Sequence, residues 1–292
     1  MKPSRTEFID ANGLQICVRH WGNEDAPKIF MVHGWMDIAA SFQFVVDAFK
    51  NEWHVIAPDV RGFGHSGWAE GDYWISDYLA DLEAVLDHYS PDEPVNLVGH
   101  SLGGKITSVY AGIRPDRVKK LVSMEGYGIA ENKPDMMPVR LERWLDTKKN
   151  PKRLRAYKNR NLVVAKMMAN NPRLTQARAD FLADYWAEQT ESGEWKFLAD
   201  PKHKLVPQLT RLDEILACWS RITAPTMFIE GELSWLGIRK ADSDHAQEEI
   251  MKRASRIPQL KYVVVKDSGH MMQHDQPEQV ADYIERFLTS DA

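Results

Sequence analysis

Cysteine is almost absent: the 292 residues contain only Cys17 and Cys218. One lies in a strand-like stretch and the other in a helix-like one, which reads as two free thiols and excludes a disulfide framework. No Cys/His spacing typical of a metal site occurs, so neither metal nor cofactor is expected. There is no apolar run of the roughly 20 residues that a bilayer-crossing helix needs. The opening Met1-Lys2-Pro3-Ser4-Arg5 passes directly into a charged, strand-like segment rather than a signal peptide. The expectation is a soluble, cytoplasmic protein without a membrane partner. Strong charge of one sign is missing too, since the net charge is −5 and dispersed. The one basic stretch, Lys148 to Arg160, reads as a solvated helix face interrupted by Pro151, so nucleic acid is not an expected partner. Internal repeats and low-complexity tracts are also lacking.

What is present is an alternation. Glu7 to Asp10 and Leu14 to Trp21 flank Ala11-Asn12-Gly13, and Asn-Gly is the strongest short hairpin signal. Strands then read at Lys28 to Val32, Trp53 to Ala57, Val95 to Val98 and Val118 to Met124. Helical patterns lie between them at Ser41 to Phe49, Ile75 to Tyr89 and Ser101 to Ile113. Such alternation calls for a parallel sheet with right-handed crossovers, hence an α/β class. From Gly126 to Ile222 it stops, and helices are expected at Pro138 to Thr147, Leu154 to Asn170, Thr175 to Glu191 and Leu212 to Ser220. The strand–helix pattern resumes with Thr226 to Ile229, a helix from about Asp244 to Arg256, Tyr262 to Lys266, and a closing helix from Pro277 to Leu288. The expected organisation is a core of 1–126 and 223–292 with a helical cap, 127–222, inserted into it and lying over the C-terminal strand ends.

The chemistry gathers at Val95-Asn96-Leu97-Val98-Gly99-His100-Ser101-Leu102-Gly103-Gly104. A strand that ends in Gly-x-Ser-x-Gly and turns into a helix holds its serine at the apex of a strained turn, and the glycines remove side chains that would collide across it. The Leu102 N–H opens the helix, so an oxyanion forming on a carbonyl attacked by Ser101 would meet a free donor and the positive end of a helix dipole.

Four motifs in register make nearly the whole chain outside the cap resemble the α/β-hydrolase superfamily. They are His33-Gly34 after the third strand, Asp59-x-Arg61-Gly62-x-Gly64-x-Ser66 after the fourth, the Gly99 to Gly104 elbow, and Ser268-Gly269-His270 with Asp275-x-Pro277. The resemblance implies an α/β-hydrolase fold, a mostly parallel eight-stranded sheet flanked by helices. It also implies His270 as the general base and the N–H of Trp35 as the oxyanion donor beside that of Leu102. His33, His100 and the Arg61 loop are read as architectural.

The acid departs from the commonest family pattern. Where relatives usually carry Asp, in a Gly-x-x-Asp loop after the seventh strand, this sequence has Gly231-Glu232-Leu233-Ser234. Glu125 ends the sixth strand, the position used by lid-bearing subfamilies such as the serine hydrolase-like proteins, and is the preferred acid. A glutamate among apolar residues there is costly to bury unless paired. Asp242 and Asp244 remain as alternatives, although both also suit a helix N-cap.

A serine nucleophile suits attack on carbonyl carbon, whereas superfamily members that attack alkyl carbon place Asp at the elbow. The expected activity is therefore a serine hydrolase, cleaving a carboxylic ester or related acyl substrate through an acyl-enzyme. Thioester, amide or carbon–carbon substrates stay open. A ligand-binding protein on the same scaffold is the alternative from another class, since fold does not fix function. Met36, Phe42, Tyr127 and Met271 adjoin the predicted loops and are candidates for an apolar substrate pocket.

Overall fold

In a computed structural model of the chain, residues 1–127, 132–204, 207, 209–234 and 243–290 are described. The chain opens with β1 (Ser4–Ala11) and β2 (Leu14–Trp21), paired antiparallel. Asn12 and Gly13 turn the hairpin at φ 52° and 77°, both in the left-handed region that a two-residue turn of this kind demands. Then follow β3 (Lys28–Val32), α1 (Gln43–Ala48), β4 (His54–Pro58), α2 (Ile75–Tyr89), β5 (Val95–His100), α3 (Leu102–Ile113) and β6 (Val118–Met124).

After β6 the chain leaves the sheet for α4 (Met137–Lys149), α5 (Arg160–Asn170), α6 (Gln176–Trp186), β7 (Ala187–Gln189), β8 (Trp195–Phe197) and α7 (Leu212–Trp219). It returns through β9 (Thr226–Gly231), α8 (Ser243–Ala254), β10 (Leu260–Val265), α9 (Met272–Asp275) and α10 (Pro277–Thr289). The central sheet runs β1-β2-β4-β3-β5-β6-β9-β10. Its pairs from β4 to β10 are all parallel, and β1 and β2 run antiparallel at one edge.

Strands β4, β5 and β9 are buried along their whole length, as strands covered on both faces must be. Residues of α2, α3 and α7 pack against one face of the sheet, and those of α1 and α10 against the other. Because the central strands are parallel, the loops after β3, β5, β6, β9 and β10 emerge at one edge, where ligands bind in open α/β sheets.

The segment between β6 and β9 differs from expectation in three places. The helix expected from Leu154 starts only at Arg160. Tyr157 and Trp195 exchange backbone hydrogen bonds of 2.8 and 2.7 Å, which holds residue 157 extended, and Asn159 then caps α5 by accepting from the Leu162 N–H at 3.1 Å. Consequently the basic stretch is not one helix face, since α4 stops at Lys149. The helix expected to reach Glu191 ends at Trp186, because Ala187–Gln189 pairs with Trp195–Phe197 around a turn at Thr190 to Gly193. These two strands form their own sheet, apart from the central one. The segment has an apolar cluster of its own, containing Val163, Met167, Leu174 and Leu182, into which α1 sends Phe44.

Candidate active site

Ser101 sits between the last residue of β5 and the first of α3, with φ 51° and ψ −112°. A non-glycine residue held there is strained, and the surroundings impose it. A Cβ at Gly99 would lie 2.4 Å from the Gly103 carbonyl oxygen, and one at Gly103 would lie 2.0 Å from that of Val32. The turn closes this tightly only because neither residue has a side chain. The Ser101 N–H donates to the Met124 carbonyl at 2.8 Å, tying the apex to the end of β6.

Glu125 follows β6 directly, at φ 53° and only 2% exposed. Its carboxylate is surrounded by donors. Oε1 accepts from the Gly231 N–H at 2.9 Å, and Oε2 accepts from Ser234 Oγ at 2.7 Å and from His270 Nδ1 at 2.5 Å. These bonds offset the cost of burying a carboxylate. They also fix the imidazole: with Nδ1 donating to Glu125, Nε2 is left as the basic nitrogen. Ser234, at the place where the commonest pattern has the acid, donates to Glu125. Of the alternative acids, Asp242 and the side chain of Asp244 lie outside the described residues.

The loop after β3 is held by a buried polar chain. His33 accepts the Val60 N–H at Nε2, 2.8 Å away, and its Nδ1 donates to the Gly34 carbonyl at 2.8 Å. Full burial keeps this ring below its ordinary pKa, which suits the neutral form that both bonds require. Asp37 accepts from the Ile38 N–H, from Ser41 Oγ and from Gln273 Nε2. Burial pushes its carboxyl up to about 7.

Gln273 also meets His100 Nδ1 at 3.3 Å, and His100 Nε2 donates to the His270 carbonyl at 2.9 Å. Burial drives His100 well below its usual pKa, so the ring 4.8 Å from that of His270 stays uncharged and does not oppose a positive charge there. His274 is likewise pushed down to about 3 by burial, and its Nε2 is engaged by Ser41 Oγ at 2.5 Å. Arg61 is locked to Asp81 through two bonds of 2.5 Å.

Ser101, His270, Trp35, Met36 and Met271 line one cavity of about 520 Å³. The segment after β6 roofs it with Met167, Trp186, Phe197 and the loop from Asn170 to Leu174. Leu102 opens α3, so its N–H is among those a helix leaves without an internal partner. Phe42 and Tyr127 do not line the cavity, contrary to expectation. Phe42 is 0% exposed in the core under α1, and Tyr127 is 3% exposed and stacked on Phe228 with centroids 5.0 Å apart. Adjacency in sequence to a site loop placed both residues one layer too far out.

Asp37, Gln273 and the roof residues were not read from the sequence as site residues. Asp37 had a signal, standing in the His33-Gly34 loop. The roof had none, because an amphipathic helix gives no sign of whether its apolar face meets core or cavity. Among the described residues no group of His, Cys, Asp and Glu is placed to hold a metal ion, and no helix is long and apolar enough to cross a membrane.

The profile of the α/β-hydrolase fold family matches residues 27–277. The chain belongs to that family. As a member of this enzyme superfamily it is similar to a serine hydrolase-like protein of Dictyostelium discoideum, 27% identical over 273 residues that span 88% of this chain and 74% of that one. Among solved structures, the thioesterase domain from the curacin biosynthetic pathway superposes with a TM-score of 0.85 at 23% identity, covering 97% of this chain and 99% of that domain. An esterase of Mycobacterium tuberculosis gives 0.74 at 22% identity, covering 99% and 92%. At such identities these structures speak for the fold.

Proposed function

We propose that this α/β hydrolase is a serine hydrolase that cleaves a carboxylic ester, or a related acyl substrate such as a thioester, through an acyl-enzyme on Ser101. His270 accepts the Ser101 proton as the hydroxyl attacks the carbonyl carbon, and the imidazolium returns it to the leaving group. Glu125 holds the ring and stabilises its positive charge. The backbone N–H groups of Trp35 and Leu102 receive the oxyanion. Water then repeats the sequence on the acyl-enzyme and releases the acid. The insertion of residues 127–222 acts as the cap over a small-molecule acyl substrate.

The observation that carries this reading is the 2.5 Å contact between Glu125 Oε2 and His270 Nδ1, with His270 sharing a cavity with the strained Ser101. Turnover of 4-nitrophenyl butyrate, followed by 4-nitrophenolate release, tests it. Wild-type protein is expected to turn the ester over, and Ser101→Ala to lose at least about a thousandfold. Equal rates for the two proteins, or none in either, would return the chain to the ligand-binding reading.

A further inference from the structure

Among the described residues the roof of the cavity carries one cation, Arg173, on the loop between α5 and α6. This loop is pinned to the histidine loop beneath it. Asn171 Nδ2 donates to Asp275 Oδ1 at 2.7 Å, and Asp275 Oδ2 accepts the Gly269 N–H at 2.8 Å. Asn171 Oδ1 in turn accepts the Arg173 N–H at 3.2 Å, and Leu174 is buried in the apolar cluster behind. The guanidinium is thereby carried over Gly269: a Cβ at that position would stand 3.9 Å from Arg173 Nη1.

Among the described residues the Arg173 side chain forms no ion pair, whereas the arginines around it do. Arg178 reaches Glu278 at 3.6 Å, and Arg160 reaches Asp180 at 2.9 Å. Asp275, whose Oδ2 lies 3.4 Å from the same Cβ position at Gly269, is turned to Asn171 and Gly269 and forms no ion pair with Arg173. Asp37, the acid that lines the cavity among the described residues, is turned to Ser41, Ile38 and Gln273 at the buried floor. Among the described residues the lining therefore presents one arginine without an ion pair, beside His270, in an otherwise largely apolar wall. The sequence reading expected an apolar substrate pocket; the arginine in its wall points to a charged group on the substrate.

We propose that Arg173 makes the cavity selective for acyl substrates that bear a carboxylate, bound by the guanidinium next to His270. A planar fork of N–H donors matches a carboxylate in two parallel bonds, a match that a point charge lacks. The inference rests on the serine hydrolase reading and names its substrate class.

Two ester pairs, followed by acid release in a pH-stat, test it. Monomethyl adipate against methyl hexanoate puts the carboxylate on the acyl side, and butyryloxyacetate against ethyl butyrate puts it on the alcohol side. In wild-type protein the carboxylate member of at least one pair is expected to have about tenfold higher kcat/KM, the scale of one charge-assisted bond. Arg173→Met should remove that preference, bringing kcat/KM for the carboxylate member down to that of its neutral partner. Arg173→Lys should keep part of it, and about 0.5 M NaCl should narrow it in wild type. If both proteins turn over the neutral esters and no carboxylate preference exists, or the preference survives in Arg173→Met, this inference is overturned and the hydrolase reading stands. If wild type hydrolyses no ester and a fluorophosphonate fails to label Ser101, the hydrolase reading falls and takes this one with it.

Discussion

At the floor of the cavity Ser101 and Glu125 stand at the ends of adjoining parallel strands, each in a left-handed backbone conformation. The contacts holding them include backbone atoms of Met124, Ile229 and Gly231. At the roof, Met167, Trp186, Arg173 and Phe197 come from two helices, a loop and a three-residue strand whose packing cluster is separate from the two that fill the sheet layers. A strained floor admits few residues at each position, so it keeps one chemistry. A roof whose apolar cluster is separate from those of the sheet layers, apart from Phe44 of α1, is on the proposed function the part that would set which acyl groups enter. Substitutions should divide accordingly: floor variants slow every substrate alike, and roof variants such as Arg173→Met change the ranking among substrates.

The largest effect expected from repositioning the base is that of Glu125→Gln. Removing the charge that orients His270 should lower kcat for all esters by about three to four orders of magnitude, with little change in KM. Asp242→Asn should leave turnover close to wild type. If Asp242→Asn collapses activity and Glu125→Gln does not, the acid comes from the loop after β9. A smaller effect belongs to Ser234→Ala. It deletes one hydrogen bond to the Glu125 carboxylate, worth about 1 kcal/mol, and should reduce kcat roughly fivefold for every ester. An effect confined to one ester would instead make Ser234 part of the roof's selectivity.

The floor was legible in the sequence because its demands fall on residue type at fixed offsets. Gly99, Ser101 and Gly103 are dictated by the turn, and Glu125 stood out as an acid at the end of an apolar strand. The loss of Asp at position 234 was legible as well, but not what replaced it: only in three dimensions does the Ser234 hydroxyl meet the Glu125 carboxylate. The sheet was readable for a related reason, since strands buried on both faces leave continuous apolar runs. The roof was not. Strands of three residues are too short to show alternation, and Tyr157 is held extended by Trp195, 38 positions away. Phe42 and Tyr127 went astray in the same way, because layer depth is a tertiary property.

Covalent capture tests the central claim, that Ser101 is a nucleophile activated by His270 and Glu125, most directly. Protein treated with a fluorophosphonate and digested should give, by mass spectrometry, a single adduct on Ser101, formed far more slowly in Glu125→Gln than in wild type. An unmodified Ser101 under saturating probe, or labelling at the same rate in both proteins, would contradict the account.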